Sequence, residues 1–342
     1  MTTRVNRRWL IAKPLVGEVS EANFQWSESP VPAVDEGRFL VHNRWLSVDP
    51  TQALQLRQGD PPGSAVAIGT PPWSLAVSEV VESKHPDFSP GDLVHGEMTW
   101  EDYTVTDGTG FNAAYRVPAG VPLNWAAGAL GLTGLVAYFG VHDVARPRAG
   151  ETFVVSGAAG GVGSIASQLA KIYGLRVIGI AGSPAKCDWL VREAGVDSAI
   201  NYHLEDVGKR LGELSPDGID IFFDTAGGPN VEIALDRLRS GGRVVLCGIT
   251  SQYLRDSPAP GPANLVQLIM KNGRIEGFLG RDFIPRRNEA FDALLPLLRS
   301  GRLKSKEDVL IGLRAAPRAL GRLLAGENVG KQLVRMDDPP GN

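Results

Sequence analysis

The chain has 342 residues and a formal net charge of −3, from 35 lysines and arginines against 38 aspartates and glutamates, which leaves no basic field to attract nucleic acid or an anionic membrane. Its length suggests two domains, since single hydrophobic cores stop growing at about 250–300 residues. Only two cysteines occur, Cys187 and Cys247, which excludes a disulfide scaffold and fits a reducing cytoplasm.

At the N-terminus, basic residues precede Trp9-Leu10-Ile11-Ala12, but Lys13 and Pro14 end that run too soon for a signal-peptide core, so no export signal is expected. Residues 1–122 carry short alternating runs at 37–45, 75–82 and 91–96, punctuated by turn signals at 60–63, 69–72 and 89–92. This is the grammar of an antiparallel, β-barrel-like domain. Residues 121–142 bear no formally charged side chain and are long enough to span a bilayer. Pro122, Asn124, Thr133 and four glycines make them only mildly apolar, so a buried helix at a domain junction is expected there instead.

From Gly150 the pattern changes to strand then helix, repeated. Strands are expected at 152–156, 176–180, 199–202, 219–224, 243–248 and 274–279, with helices at 184–193 and 230–240 among them. Such alternation implies an α/β fold, a doubly wound parallel sheet that takes its ligand at the carboxyl ends of its strands. The expected division is 1–122, 123–300 and a tail, 301–342, that packs back onto the first domain.

The stretch from Phe153 to Gly174 reads as a buried strand, a glycine turn and an amphipathic helix in succession. Apolar residues at 162, 165, 166, 169, 170 and 173 form the helical stripe. The Gly-x-Gly-x-x-Gly pattern maps as Ala158-x-Gly160-x-x-Gly163, with Ala158 a departure at its first position. Gly160 lets the backbone approach a pyrophosphate, and Gly163 lets helix and strand pack closely. The helix N-terminus then offers free N–H groups to the phosphates.

In such units an Asp or Glu about twenty residues beyond the glycines binds the adenine-ribose hydroxyls of NAD. Here the second strand runs into Ile180-Ala-Gly-Ser-Pro-Ala-Lys186 with no carboxylate. Without that acid nothing repels a 2′-phosphate, and Ser183 and Lys186 supply a hydroxyl and a cation. The expected cofactor is NADP(H).

Domain order and motifs together resemble the medium-chain dehydrogenase/reductase superfamily, in its zinc-free branch of prostaglandin, alkenal and curcumin-type reductases. The residues that carry the resemblance are 46–50, 131–140, 158–164, 182–186, Asn201-Tyr202, 224–228, 247–253 and 326–331. It implies a GroES-like β-barrel domain plus a Rossmann domain, NADPH, and a homodimer joined edge to edge through the cofactor-domain sheets. It would put Gly161, Val162, Gly163 and Ser164 on the diphosphate, Lys186 and Tyr202 at the 2′-phosphoadenosine end, and Asn328 near the nicotinamide half. Gly248, Ile249, Thr250 and Ser251 would line the cofactor after the fifth strand, and Phe278 and Leu279 after the sixth. Zinc members carry a Cys near Leu46 and Gly-His-Glu where this chain has Gly69-Thr70-Pro71, and the five histidines are scattered without a cysteine cluster, so no metal is expected.

Reduction of an enone needs a hydrogen-bond donor for the carbonyl oxygen and then a proton for the α-carbon. Tyr253, just past a strand's carboxyl end, is the candidate donor, because a phenol of ordinary pKa near 10 stays protonated at neutral pH. The competing reading has it packing on the proline-rich segment 258–262. Two departures from the branch qualify the resemblance. Thr51 stands where relatives have an aromatic residue at the substrate pocket, and Thr225-Ala226 replace an Asn-Val pair. The leading expectation is NADPH-dependent reduction of a small hydrophobic α,β-unsaturated ketone or aldehyde. Quinone reduction, a non-redox cyclisation or addition, and a catalytically silent nucleotide sensor stay open beside it.

Overall fold

The computed structural model describes residues 4–57, 65–254 and 260–337. The turn expected at 60–63, residues 258 and 259 of the proline-rich segment, and everything after Asp337 lie outside them. The chain forms two compact units. One gathers Met1–Gly131, Glu307–Asn328 and Gln332–Asn342, the other Leu132–Lys306 and Val329–Lys331.

The first unit opens with β1 (Val5–Ile11) and β2 (Phe24–Pro30), an antiparallel pair. Then come β3 (Phe39–Ser47), α1 (Gln52–Gln55), β4 (Trp73–Ser83), β5 (Leu93–Thr99), β6 (Tyr103–Thr106), β7 (Tyr115–Arg116) and α2 (Leu123–Ala127). The alternating runs become antiparallel ladders, β3 with β4 and β4 with β5. Their inward residues Phe39, Val41, Leu46, Val77 and Val94 are wholly buried. Trp100, also wholly buried, packs on Phe24 at 5.2 Å between ring centroids.

Residues 121–142 form α2 and then α3 (Leu132–Phe139), which runs into a π-helical turn at Gly140–Ala145, rather than the single helix expected. The break falls at Gly128–Gly131. Gly128 leaves helical geometry (φ −116°, ψ −99°), and a Cβ on Gly131 would stand 2.8 Å from the Ala126 carbonyl oxygen and 3.0 Å from His95 Nε2. Only glycine fits so close an approach.

The second unit begins with α3 and continues with β8 (Thr152–Val155), α4 (Gly161–Ile172), β9 (Arg176–Ala181), α5 (Pro184–Arg192), β10 (Ser198–Asn201) and α6 (Val207–Leu214). After these come β11 (Ile219–Asp224), α7 (Asn230–Arg237), β12 (Leu238–Leu246), α8 (Val266–Met270), β13 (Arg274–Gly277) and α9 (Arg287–Arg299). The strands lie in the order β10-β9-β8-β11-β12-β13, every pairing parallel. That order reverses between β8 and β11, the place where a doubly wound sheet opens a crevice beyond its strand ends. Val154, Val155, Ile178, Phe222 and Phe223 are wholly buried, which is why these strands read as unbroken apolar runs rather than alternating ones. α7 stops earlier than expected because Leu238 turns extended (φ −61°, ψ 140°) and starts β12.

The tail holds β14 (Glu307–Ile311), α10 (Ala316–Leu324) and β15 (Lys331–Arg335). β15 pairs antiparallel with the second half of β3, while β6 takes the first half. The resulting sheet has seven strands, β14-β15-β3-β4-β5-β7 with β6 off that path. Among the described residues no helix is long and apolar enough to cross a membrane.

Candidate active site

β8 ends at Val155 and the chain turns through Ser156-Gly157-Ala158-Ala159 to Gly160, the residue that caps α4. Positive φ falls on Gly157 (57°), one residue before the first motif position. Ala158 therefore needs no glycine. Its methyl finds room because β9 carries Gly179 opposite, where an added Cβ would already be 3.0 Å from the Ala158 Cβ. A Cβ on Gly163 would stand 2.3 Å from the Gly157 carbonyl oxygen, so the first turn of α4 rests directly on the turn before it.

Gly160 offers no side-chain cap. Ser164 N–H makes the first bond of the helix, to Gly160 O at 3.0 Å, and the Ser164 hydroxyl donates to Gly161 O at 3.1 Å. Both Ser164 donors are thus committed within α4. The amides of Gly161, Val162 and Gly163 have no intrachain acceptor among the described residues. Three convergent N–H groups at the positive end of a helix dipole fit an anion such as a diphosphate.

Sequence reasoning missed what lies against this turn. Gly330 N–H donates to Ala159 O at 2.7 Å, and Gly330 bridges Gly160 in parallel. The next residue, Lys331, is buried, and its Cδ would be 3.1 Å from a Cβ on Gly161. Asn328, 4% exposed, lies two residues ahead of Gly330.

At the end of β9 Ser183 caps α5, its hydroxyl accepting from Lys186 N–H at 3.3 Å, with Pro184 at the first helical position. Tyr202, 48% exposed, follows β10, and its hydroxyl is 2.7 Å from where a Gly182 Cβ would stand. Gly182, Ser183, Lys186 and Tyr202 therefore share one corner, and the end of β9 carries no carboxylate.

The loop after β12 is held by β11. Cys247 and Gly248 N–H donate to Asp224 O, the Thr250 hydroxyl to Thr225 O at 2.9 Å, and Ser251 N–H to Ala226 O at 2.9 Å. Ile249 is 43% exposed. Tyr253 ends the short turn Thr250–Gln252 and is half-buried. Burial pushes its phenol up, Cys247 adds to that, and the Ile249 amide opposes it, so the hydroxyl keeps its proton at neutral pH. Burial also pushes the Cys247 thiol up to about 12, with Asp224 contributing. Phe278 packs under the end of α3, its ring 2.8 Å from a Cβ placed on Gly140, while Leu279 is 54% exposed.

Below these loops Asp224, wholly buried, accepts from the Ser156 hydroxyl and from the Gly227 amide at 3.0 Å. Ser156 Oγ in turn accepts from Thr225 N–H at 2.8 Å. No motif announced this pair, whose members are 68 residues apart in sequence. Thr225, the departure from the branch pattern, donates its hydroxyl to Ser156 O at 2.8 Å and stands 2.4 Å from a Cβ on Gly157.

In the first unit Thr51 is exposed at the start of α1. That short helix is fixed by Gln55, whose amide exchanges two 2.9 Å bonds with the backbone of Trp73. His142 lies with Asp143 and Glu289, their ligand-type atoms within 4.8 Å of one another, but Arg286 already pairs with both carboxylates.

Residues 7–114 match a family model described as the N-terminal domain of oxidoreductase, and residues 161–300 one described as zinc-binding dehydrogenase. The chain is similar to the 2-alkenal reductase (NADP(+)-dependent) of Nicotiana tabacum, 39% identical over 300 residues that cover 86% of each chain. It is 37% identical over 307 residues to the (+)-pulegone reductase of Mentha piperita, covering 89% of each. Among solved structures it is similar to CurA from Vibrio vulnificus in complex with NADPH, with a TM-score of 0.90, 31% identity, and coverage of 97% of this chain and 100% of that one.

Proposed function

The chain belongs to the medium-chain dehydrogenase/reductase superfamily, in its zinc-free branch, and from that premise we propose that it reduces the carbon–carbon double bond of α,β-unsaturated ketones or aldehydes with NADPH. The observation that carries the reading is the start of α4, where three backbone amides stand open beside Gly157 and Gly163, at each of which an added Cβ would crowd a neighbouring atom at 2.4 Å or less. NADP(H) fits that cradle, and the corner of Ser183, Lys186 and Tyr202 fits its 2′-phosphate. When bound, the cofactor supplies hydride to the β-carbon of the substrate.

The chain's own residues supply the rest. Gly161, Val162 and Gly163 hold the diphosphate by their amides, and Lys186 neutralises the 2′-phosphate. Tyr253 donates its phenolic proton in a hydrogen bond to the substrate carbonyl oxygen as charge grows there, and burial keeps that proton on the phenol at neutral pH. Gly248, Ile249, Thr250, Ser251, Leu279 and Asn328 are proposed cofactor neighbours. On the first unit Thr51 is the proposed substrate-facing residue, whose small hydroxylated side chain would open or repolarise the substrate pocket. The two free cysteines support residence in a reducing compartment.

A homodimer is proposed as well. β13 is the last strand of its sheet, and α8 just before it displays Ile269 and Met270 at 80% and 73% exposure. Light scattering at micromolar concentration should return twice the chain mass.

The function is tested by following loss of NADPH absorbance with a panel of enones, enals and quinones, beside NADH. Turnover of enones with NADPH is expected. Product formation without NADPH oxidation, or turnover confined to quinones, would overturn the reading.

A further inference from the structure

Two peptide units just after β11 are bonded on both sides. Thr225 and Ala226 each give their N–H to the Ser156 hydroxyl oxygen, at 2.8 and 3.2 Å. Their carbonyls accept from the loop that carries Tyr253, Thr225 O from the Thr250 hydroxyl and Ala226 O from Ser251 N–H, each at 2.9 Å. Asp224 makes the same bridge with other atoms. Its carboxylate accepts the Ser156 hydroxyl proton, and its carbonyl accepts Cys247 and Gly248 N–H at 2.8 and 3.2 Å. Tyr253 N–H in turn bonds Thr250 O at 3.3 Å. One wholly buried hydroxyl, on the residue that follows β8, is thus a single peptide unit away from the loop of the phenol.

We propose that Ser156 is a positioning residue for Tyr253: its hydroxyl holds residues 224–226 in the register that aims the phenol at the substrate carbonyl, so that it serves turnover rather than cofactor affinity. The inference rests on the assignment of Tyr253 as hydrogen-bond donor and deepens it.

Cofactor affinity stays because the phosphate turn does not hang from that hydroxyl. Ser156 N–H is held by Phe223 O at 3.0 Å, and Gly157 O, against which the first turn of α4 rests, accepts Gly160 N–H at 2.9 Å. Removing Oγ leaves both bonds. It takes from Thr225 N–H its acceptor, leaves Ala226 N–H its longer bond of 3.3 Å to Asp224 Oδ1, and strips one donor from a buried carboxylate. A buried polar group that loses its partner shifts to find another, and the loop bonded to the carbonyls of 224–226 shifts with it. A displacement of about 1 Å at a reacting group costs up to about 100-fold in rate.

The experiment measures kcat, for the enone that the panel above shows to be turned over fastest, and the NADPH Kd in the full chain. The proteins are wild type, Ser156→Ala, Tyr253→Phe and the double variant. Ser156→Ala should lower kcat roughly 10- to 100-fold and leave the NADPH Kd within about twofold. In the Tyr253→Phe background the same change should lower kcat no more than about twofold, because the group it aims is already gone. Thr225→Val keeps the shape of the side chain and removes only its hydrogen bond to Ser156 O, so it carries the same test if Ser156→Ala does not fold. It should lower kcat about two- to tenfold, again only while Tyr253 is present. Losses that multiply across the two sites belong to a merely structural role and overturn the inference, as does an unchanged kcat or a loss confined to the NADPH Kd. If Tyr253→Phe alone leaves kcat unaltered, the donor assignment falls and the inference with it, while absence of enone turnover in wild type overturns the proposed function instead.

Discussion

Gly163→Ala tests whether close packing at the start of α4 builds the phosphate cradle. The added Cβ would stand 2.3 Å from Gly157 O and 2.9 Å from the Ala158 Cα, both backbone atoms that follow a wholly buried strand. Carbon atoms rest about 3.5–4.0 Å from their neighbours, so α4 has to lift by roughly 1 Å. Its packed face, Ile165, Ala166, Leu169 and Ala170, is 4% exposed or less and loses contact as it lifts. Overpacking of this kind costs about 1–3 kcal/mol, and for a unit of this size each kcal/mol lowers Tm by about 2–4 °C, which gives a drop of about 2–12 °C. The three open amides move with the helix. Losing one charge-assisted hydrogen bond, about 1.5–3 kcal/mol, raises the NADPH Kd by roughly 10- to 100-fold. Gly160→Ala separates the two effects, because its Cβ meets only Gly157 O, at 3.2 Å. It should leave Tm within about 2 °C of wild type while still weakening NADPH. Calorimetric unfolding and fluorescence titration read both quantities. If Gly163→Ala matches wild type in Tm and Kd, or Gly160→Ala unfolds at the lower temperature, the packing argument is wrong.

Tyr253→Phe should lower kcat for an enone roughly 10- to 100-fold with NADPH affinity unchanged; an unaltered kcat would hand the donor role to another group. Lys186→Ala should raise the NADPH Kd about tenfold or more and leave NADH alone, and equal losses for both cofactors would refute its placement. Glu101 tests the first unit. Burial pushes its carboxyl up, opposed by hydrogen bonds from the Thr99 hydroxyl and the Asn6 amide. A carboxyl raised in the folded state favours folding below its unfolded pKa, about 4.3, and that contribution is lost as pH rises through the folded value. Glu101→Gln should therefore show a flatter stability profile above pH 4.3 than wild type, measured by urea unfolding, and parallel profiles would contradict the assignment.

The second unit was legible because its sheet is buried on both faces and its helices on one, so strand and helix differ in local apolar pattern. The six strands and the glycine turn follow from neighbours in sequence. What sequence hid depends on pairs far apart. Ala158 is tolerated through Gly179, which no local pattern shows. The return of Gly330 onto Ala159 needs the chain to come back some 170 residues later, and only the resemblance pointed there. Tyr202 was named for its own place, but its seat over Gly182 and its pairing with His203 arise from the β9–β10 register, Asn201 opposite Ala181. The break in residues 121–142 was written in the spacing of Gly128 and Gly131, yet a helix interior with one glycine looks the same until His95 approaches.

The buried Asp224 and Ser156 take up amides of the loop that follows β11. A sheet that ends in a ligand crevice exposes many N–H groups at once, and each one left free would compete for water or misplace an anion. Here Thr225 N–H goes to Ser156 Oγ and Gly227 N–H to Asp224, so these two donors just after β11 are consumed internally, while among the described residues the amides of Gly161, Val162 and Gly163 have no intrachain acceptor. Burial raises the Asp224 pKa while the Ser156 hydroxyl and the Gly227 and Ala226 amides hold it down. Those donors spread and screen a negative charge held beneath the loops. Thr225 joins that arrangement, its hydroxyl satisfying Ser156 O beside Gly157. The departure therefore falls on a residue that shapes the turn, and the open amides proposed to hold a phosphate belong to the backbone of Gly161, Val162 and Gly163.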